Sequence, residues 1–378
     1  MSRTDFKNLS LDEQIDALRS NIRTDKLDLT YGEFSSMYEA GELIVAPEYQ
    51  RLFRWSESQK SRFIESILLG IPTPAIFVAE TEKGIWELVD GLQRLSTVLE
   101  FFGVLKKPEG IRFSPSILEA DDTAKLPALD GMIYENLTLR SRLSIRRTGC
   151  RVEVIKVGSD RKMKYDLFER LNTGGAQLTD QEVRNCIFRA EAPDLMEYFD
   201  RLAQFEPFQM SLGLSDLQQK SLYDRGLVLR FFALKNNLND FRHDVEPFIT
   251  EYVHKVVDGE VQFDKETSQS VFEKTTKLIW DALGQDSYRH IRDSRHQGAF
   301  SVYVFEALSI GVANNLEYVE SLNSEVLKKK LTAIKESEDF RASSGQGGNT
   351  KARLLQRLKI GETVIGNHLP EASNVSNE

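Results

Sequence analysis

"WELVDGLQRLSTVLEFF", residues 86–102, decides how the first half of the chain is read. An apolar run stops on Asp90-Gly91. Apolar residues at helical spacing begin at once and end at Gly103. This is a strand turning directly into a helix. Such a turn exposes the first N–H groups of the helix, which together with the helix dipole favour an anion. Gly91 lets the main chain approach a ligand closely. Arg94, in the first helical turn, can fork onto phosphate oxygens. Asp90 can cap the helix, hold a Mg²⁺ ion or orient a water. The same residues also fit a plainer turn, with Asp90 as the N-cap and Arg94 facing water. Spacing leaves both readings open, and the stretch is not a Walker A sequence.

Working outward, "TEKG" (81–84) separates two strand-like runs, 74–80 and 85–90, and reads as a hairpin turn. Upstream, "PEYQRLFRW" (47–55) sets Gln50, Arg51, Arg54 and Trp55 in a loop before a helix that starts near Ser56 and stops at Gly70 and Pro72. Arginine forks suit phosphates and Trp55 can stack on a base. The alternative is that Phe53 and Trp55 fill the core while the arginines face water. Capping boxes are expected at Ser10/Glu13, Thr30/Glu33 and Thr179/Glu182. Residues 104–149 read as a less regular insertion. "CRVEVIKV" (150–157) is the clearest later strand. "DRKMKYDLFERLNTGG" (160–175) reads as a helix breaking on Asn172 and paired glycines, either a nest of N–H groups or a plain helix–turn–helix joint.

Beyond about residue 190, strand-like runs vanish. The expected fold class is α+β, with an N-terminal domain over 1–190 (core 28–190), an all-helical domain over 191–368 and a disordered tail over 369–378.

The 378 residues carry a net charge of -9, which argues against coating nucleic acid by bulk electrostatics. One stretch departs from that balance. Between Arg140 and Lys164, arginines and lysines, Arg146 and Arg147 among them, far outnumber Glu153 and Asp160. It fits either a phosphate-facing surface or a solvated face. A glycine-rich segment near the C-terminus leads into a helix with Lys351 and Arg353 in its first turn, either a phosphate contact or a mobile loop. Cys150 and Cys186 make no disulfide framework and fit a reducing cytoplasm. Five scattered histidines, His290 and His296 among them, show no zinc-ligand spacing. No run is apolar enough for a signal core or a membrane span, so a cytoplasmic protein without membrane contact is expected.

Taken in order, "VAPEYQRLFRW", "ESILLGIPTPAIFVAE", "WELVDGLQRLSTVLEFF" and "FERLNTGGAQLTDQEVRNCIF" resemble the N-terminal domain of GmrSD-type, modification-dependent restriction endonucleases. The hallmark of that family, Asp-Gly-Gln-Gln-Arg, stands here as Asp90-Gly91-Leu92-Gln93-Arg94, with Leu92 at one glutamine position. If that glutamine touches ligand, Leu92 weakens the site; if it faces the core, Leu92 is harmless. The resemblance implies a ParB/sulfiredoxin-like fold, in which a strand–Gly-x-x-Arg–helix turn binds nucleotide phosphates. It implies Mg²⁺-dependent hydrolysis of a nucleoside triphosphate, coupled to cutting of modified DNA. Asp90, Gln93 and Arg94 would then bind or hydrolyse the nucleotide, with Gly91 at the phosphates and Gln50 and Arg51 nearby. No His-Asn-His nuclease pattern is evident, so a nuclease partner is expected; a homo-oligomer is also compatible. Two other functions compete. One is a self-sufficient metal-dependent nicking endonuclease, with Asp90 and Glu87 or Glu182 on the metal. The other is a non-catalytic, nucleotide-gated DNA-binding or scaffold module.

Overall fold

The computed structural model describes residues 9–19, 23–45, 55–81, 83–105, 113–116, 125–157, 179–215, 218–219, 221–292, 295–345 and 350–366. The chain divides into two compact units, Met1–Ala190 and Glu191–Glu378.

In the first unit the elements run α1 (Leu11–Arg19), β1 (Thr24–Thr30), α2 (Tyr31–Ala40), β2 (Leu43–Ile44), α3 (Glu57–Leu68), β3 (Ile76–Glu80), β4 (Trp86–Asp90), α4 (Leu92–Phe101), α5 (Leu139–Arg147), β5 (Gly149–Ile155) and α6 (Asp180–Glu191). Local chemistry sets most helix starts. Ser10 and Glu13 bond reciprocally at the head of α1. Complete capping boxes open α2 at Thr30/Glu33 and α3 at Ser56/Gln59. Thr179 and Glu182 do the same for α6.

The five strands form one mixed sheet in the order β1-β5-β3-β4-β2. β5 is inserted between β1 and β3, antiparallel to the first and parallel to the second. β3 and β4 are the hairpin expected around "TEKG", closed by the Gly84 N–H donating to the Thr81 carbonyl at 2.9 Å. Val78, Val152, Val154 and Ile76 are fully buried in a core shared with Ile64, Leu95, Val98 and Leu99 of α3 and α4.

The described parts of 104–149 are not a detached insertion. Phe113, Leu129, Leu137 and Ile145 belong to the same core. Glu65 of α3 accepts from the Lys125 and Leu126 N–H groups at 2.7 Å each, and Ser61 accepts from Ser116 N–H at 2.9 Å. Short 3₁₀ turns and an irregular path hide this docking from periodicity.

The second unit holds α7 (Pro193–Ala203), α8 (Glu206–Leu212), α9 (Tyr223–Asn237), α10 (Val245–Val257), α11 (Lys265–Leu283), β6 (His290–Arg292), β7 (Arg295–Gln297), α12 (Val302–Asn314), α13 (Leu316–Glu320), α14 (Ser324–Glu336), α15 (Glu338–Ser343) and α16 (Lys351–Gly366). It is helical, but not purely so: β6 and β7 pair as an antiparallel hairpin. Three-residue strands built from Arg, His and Gln around the buried Ile291 carry no apolar alternation, so the all-helical expectation missed them. Where α12 and α16 cross, a Cβ on Gly361 would collide with the Ala307 carbonyl, so the two backbones touch directly. Asp244 is the N-cap of α10. Among the described residues no helix is long and apolar enough to cross a membrane. The 369–378 tail lies outside the described residues.

Candidate functional site

The β4–α4 turn begins with a break in pairing. Asp90 lies opposite Phe77 and Leu88 opposite Val78, so the ladder shifts at Val89. Leu88 and Val89 are both buried, which strict alternation forbids and an irregular ladder permits. Gly91 follows with φ 100 and is itself the N-cap of α4, with no side-chain cap. Asp90 is therefore not the cap; it is the last residue of the strand. A Cβ at position 91 would sit 3.0 Å from Ile76 Cγ1. Glycine is required here by backbone conformation and by space together.

Arg94 folds back on this turn. Its Nη2 donates to Asp90 Oδ2 at 2.9 Å, and its Nη1 donates to the Ala75 carbonyl at 3.1 Å and to the Pro74 carbonyl. The guanidinium thus ties the end of β4 and the start of α4 to the segment that feeds β3. Three of its five N–H groups are used, which leaves Nε–H and one Nη2 hydrogen for other acceptors. The Arg94 side chain is 13 % exposed and that of Asp90 42 %, so the pair is open to solvent on the carboxylate side.

Gln93 links two of the sequence clusters. Its Oε1 accepts from the main-chain N–H of Trp55 at 3.2 Å. Trp55 is half-buried and packs edge-on against Phe63, with 5.4 Å between ring centroids. The loop that carries Gln50, Arg51 and Arg54 therefore ends beside the β4–α4 turn, although those three residues lie outside the described ones. Leu92 packs partly buried against the core, so this departure from the hallmark does not remove a polar group from solvent.

Beneath Arg94 lies a polar row that sequence reasoning missed. The Tyr31 hydroxyl is 3.2 Å from Thr73 Oγ1, and Thr73 Oγ1 and Cys150 Sγ are 3.9 Å apart. Burial, and then the neighbouring Cys150, push the Tyr31 phenol well above its ordinary range. Burial also raises the Cys150 thiol, which keeps it protonated and speaks against a nucleophile. The only available signal was the "PTP" at 72–74, too short to flag.

The remaining expected residues fall elsewhere. Asn172 lies outside the described residues. Arg146 and Arg147 are exposed at the end of α5. Lys351 is exposed and Arg353 half-buried at the start of α16 in the second unit. His290 and His296 sit on the β6–β7 hairpin. Among the described residues no group of three His, Cys, Asp or Glu side chains is arranged to hold a metal. Asp90 offers a single carboxylate, already paired with Arg94. Among the described residues this turn does not form a Mg²⁺ cage, so a Mg²⁺ held by them would take most of its oxygens from phosphates and water. Of the two further expected metal carboxylates, Glu87 lies in β4 and Glu182 accepts from Thr179 N–H at 2.5 Å as part of its capping box.

With this geometry in place, comparison with known families is informative. Residues 31–189 match the family described as GmrSD restriction endonuclease, N-terminal domain. The match runs from the first residue of α2 into α6 and contains the whole β4–α4 turn. The first unit thus resembles the N-terminal domain of a restriction endonuclease family. No curated protein matches the chain.

Proposed function

We propose that this protein is a nucleotide-responsive component of a restriction system acting on DNA, and that the β4–α4 turn is its nucleoside triphosphate site. The carrying observation is the turn itself, within a segment that matches the restriction-endonuclease domain. Gly91 heads α4 without a side-chain cap, so the first N–H groups of the helix keep their capacity for an anion. The strand–Gly91-x-x-Arg94–helix path also supports kinship with ParB/sulfiredoxin-like folds.

In this reading the α4 N–H groups and Gly91 receive phosphate oxygens. Arg94 holds the turn in shape and offers its two remaining N–H groups. Gln93 fixes the main chain at Trp55; Gln50, Arg51 and Arg54, which precede it in sequence and lie outside the described residues, are proposed as further phosphate contacts. Asp90 orients water or shares a Mg²⁺ ion with the phosphates. DNA cutting is assigned to a nuclease partner, because the sequence shows no His-Asn-His nuclease pattern. A second reading, a gate that binds nucleotide without turnover, is favoured by the Asp90–Arg94 ion pair, which engages the carboxylate at the turn.

The test is calorimetric titration of each of the four ribonucleoside triphosphates, with Mg²⁺, into wild type and Asp90→Asn, with phosphate release followed in parallel. Binding by both proteins, with release lost only in Asp90→Asn, supports an NTPase. Binding without release in wild type selects the gate. A folded wild type that binds no triphosphate overturns the assignment.

A further inference from the structure

Among the described helices of the first unit, α5 stands out for arginines that no acid balances. Its sequence, LRSRLSIRR, has four arginines and no acid, in a chain of net charge -9. The helix dipole accounts for Arg146 and Arg147 in the last turn. It does not account for Arg140 and Arg142, which sit in the first turn, where a cation is disfavoured. Arg142 and Arg146 are also a like-charge pair four residues apart, a spacing that destabilises a helix.

The neighbours do not neutralise them. α5 packs on α2 and α3. Among the described residues, none of the acids of those helices, Glu33, Glu39, Glu57 and Glu65, pairs with an α5 arginine. Glu33 is held by Thr30, Glu57 by Lys60, and Glu65 by the Lys125 and Leu126 N–H groups. Arg151 and Lys156, just downstream on and after β5, do have partners, Asp28 at 3.6 Å and Glu80 at 3.1 Å. The contrast within one short stretch singles out α5.

The helix is also fixed to the unit through its main chain, with three of its four arginines left exposed. A Cβ on Gly32 would come within 3.0 Å of the Arg146 carbonyl, so α2 and α5 meet main chain to main chain. Tyr31 N–H donates to the Thr148 carbonyl at 3.2 Å, and Ile145 is fully buried. Arg140, Arg146 and Arg147 are exposed, the Arg146 side chain leaving alongside Gly32 of α2, while Arg142 is half-buried.

From this we infer that α5 is a nucleic-acid docking helix, contacting the phosphate backbone of duplex DNA through Arg140, Arg146 and Arg147. Arg140 and Arg147 stand about 10 Å apart along the axis, enough to meet more than one phosphate. A membrane surface fits less well. Ile145 is buried and only Leu139 is exposed among the apolar residues of the helix, whereas an interfacial helix needs a continuous apolar face. The inference deepens the restriction reading by naming its DNA contact, but it rests on the charge balance of α5 and not on the nucleotide turn.

The experiment is fluorescence anisotropy of a labelled 30-base-pair duplex with the full-length chain over a salt series, for wild type and Arg140→Ala/Arg146→Ala/Arg147→Ala. Loss of three phosphate contacts is expected to make the slope of log affinity against log salt shallower by about 2.7, with affinity at low salt falling more than tenfold. The Lys triple at the same positions should recover most of the binding. Single Arg140→Gln and Arg147→Gln variants should each flatten the slope by about 0.9, which keeps the test intact if the triple fails to fold. Unchanged duplex binding in folded variants overturns the inference. So does a wild type that binds anionic vesicles but no duplex. Triphosphate titration of the same variants separates the two proposals: nucleotide binding lost with duplex binding kept removes the turn assignment and leaves α5 standing.

Discussion

Each unit of this protein contains an arginine clasped by a carboxylate, and the two clasps differ in burial. Arg94 and Asp90 meet at 2.9 Å with the carboxylate 42 % exposed. Arg357 of α16 and Glu306 of α12 pair with both side chains fully buried, and Arg230 reaches the same carboxylate at 3.5 Å. Arg357 also donates to the Ser343 carbonyl at 3.2 Å and lies over the Tyr303 ring. The second clasp is sealed inside helices whose backbones touch at Gly361 and Ala307, so its charges serve the fold. The first opens to water beside an uncapped helix start, so its charges remain available to a ligand. The chemistry is the same in both; solvent access separates a structural ion pair from a candidate site.

The largest expected effect breaks the sealed clasp. Glu306→Ala leaves Arg357 buried without this carboxylate and Arg230 with Glu246 alone, at 3.7 Å, and should cost about 3–5 kcal/mol. It should show as early loss of the second unit in urea followed by circular dichroism. Next, Arg94→Ala strands the Pro74 and Ala75 carbonyls and loosens the β4–α4 turn. A loss of about 1–3 kcal/mol in the first unit is expected, together with loss of triphosphate binding. Asp90→Asn keeps the shape of the open clasp and removes only its charge, so a stability change within about 1 kcal/mol is expected from the same melts. A loss as large as that for Glu306→Ala would erase the contrast between the two clasps.

A subtler effect concerns Lys335 in α14. Its ammonium is buried and donates to the Asp286 carbonyl at 2.6 Å. Burial depresses it from 10.5 to about 7. Between those values the unfolded chain holds a proton that the folded protein lacks. Stability from this group should therefore rise with pH from about 7 towards 10.5 and be missing below 7. Lys335→Met should flatten that part of a stability-against-pH curve measured by urea titration. The smallest signal comes from Cys150. Its buried, protonated thiol should resist alkylation by iodoacetamide at neutral pH in the folded protein and react on unfolding, as read by mass spectrometry.

Much of the first unit was legible because its signals are local. Thr30/Glu33 and Thr179/Glu182 act across three residues, and a capping box needs nothing else to form. The strand–glycine–helix turn at Asp90-Gly91 is equally local, as is the hairpin at 81–84. Three readings failed for physical reasons. Asp90 was offered as a cap, but the pairing shift at Val89 keeps it in the strand and passes the cap to Gly91. Residues 104–149 lacked periodicity, yet Phe113, Leu129 and Ile145 complete the core. The β6–β7 hairpin has too few residues and too little apolar alternation to register as strands.

The sequence by itself determined the capped helix starts at Ser10, Thr30 and Thr179, the strands β3, β4 and β5, the strand–glycine–helix turn at Asp90-Gly91, and an excess of arginine around residues 140–147. Each depends on residues within a few positions of one another, or on composition alone. Only the tertiary structure decided what those residues do. Arg94 finds its acceptors 19 and 20 residues away, Gln93 holds the chain 38 residues upstream, and β5 slots between strands far earlier in the chain. Whether the arginines of α5 are neutralised likewise depended on where Glu33, Glu57 and Glu65 turned. Contacts of that range form only when the whole unit packs, and spacing along a chain carries no record of which distant carbonyl or carboxylate a guanidinium will meet.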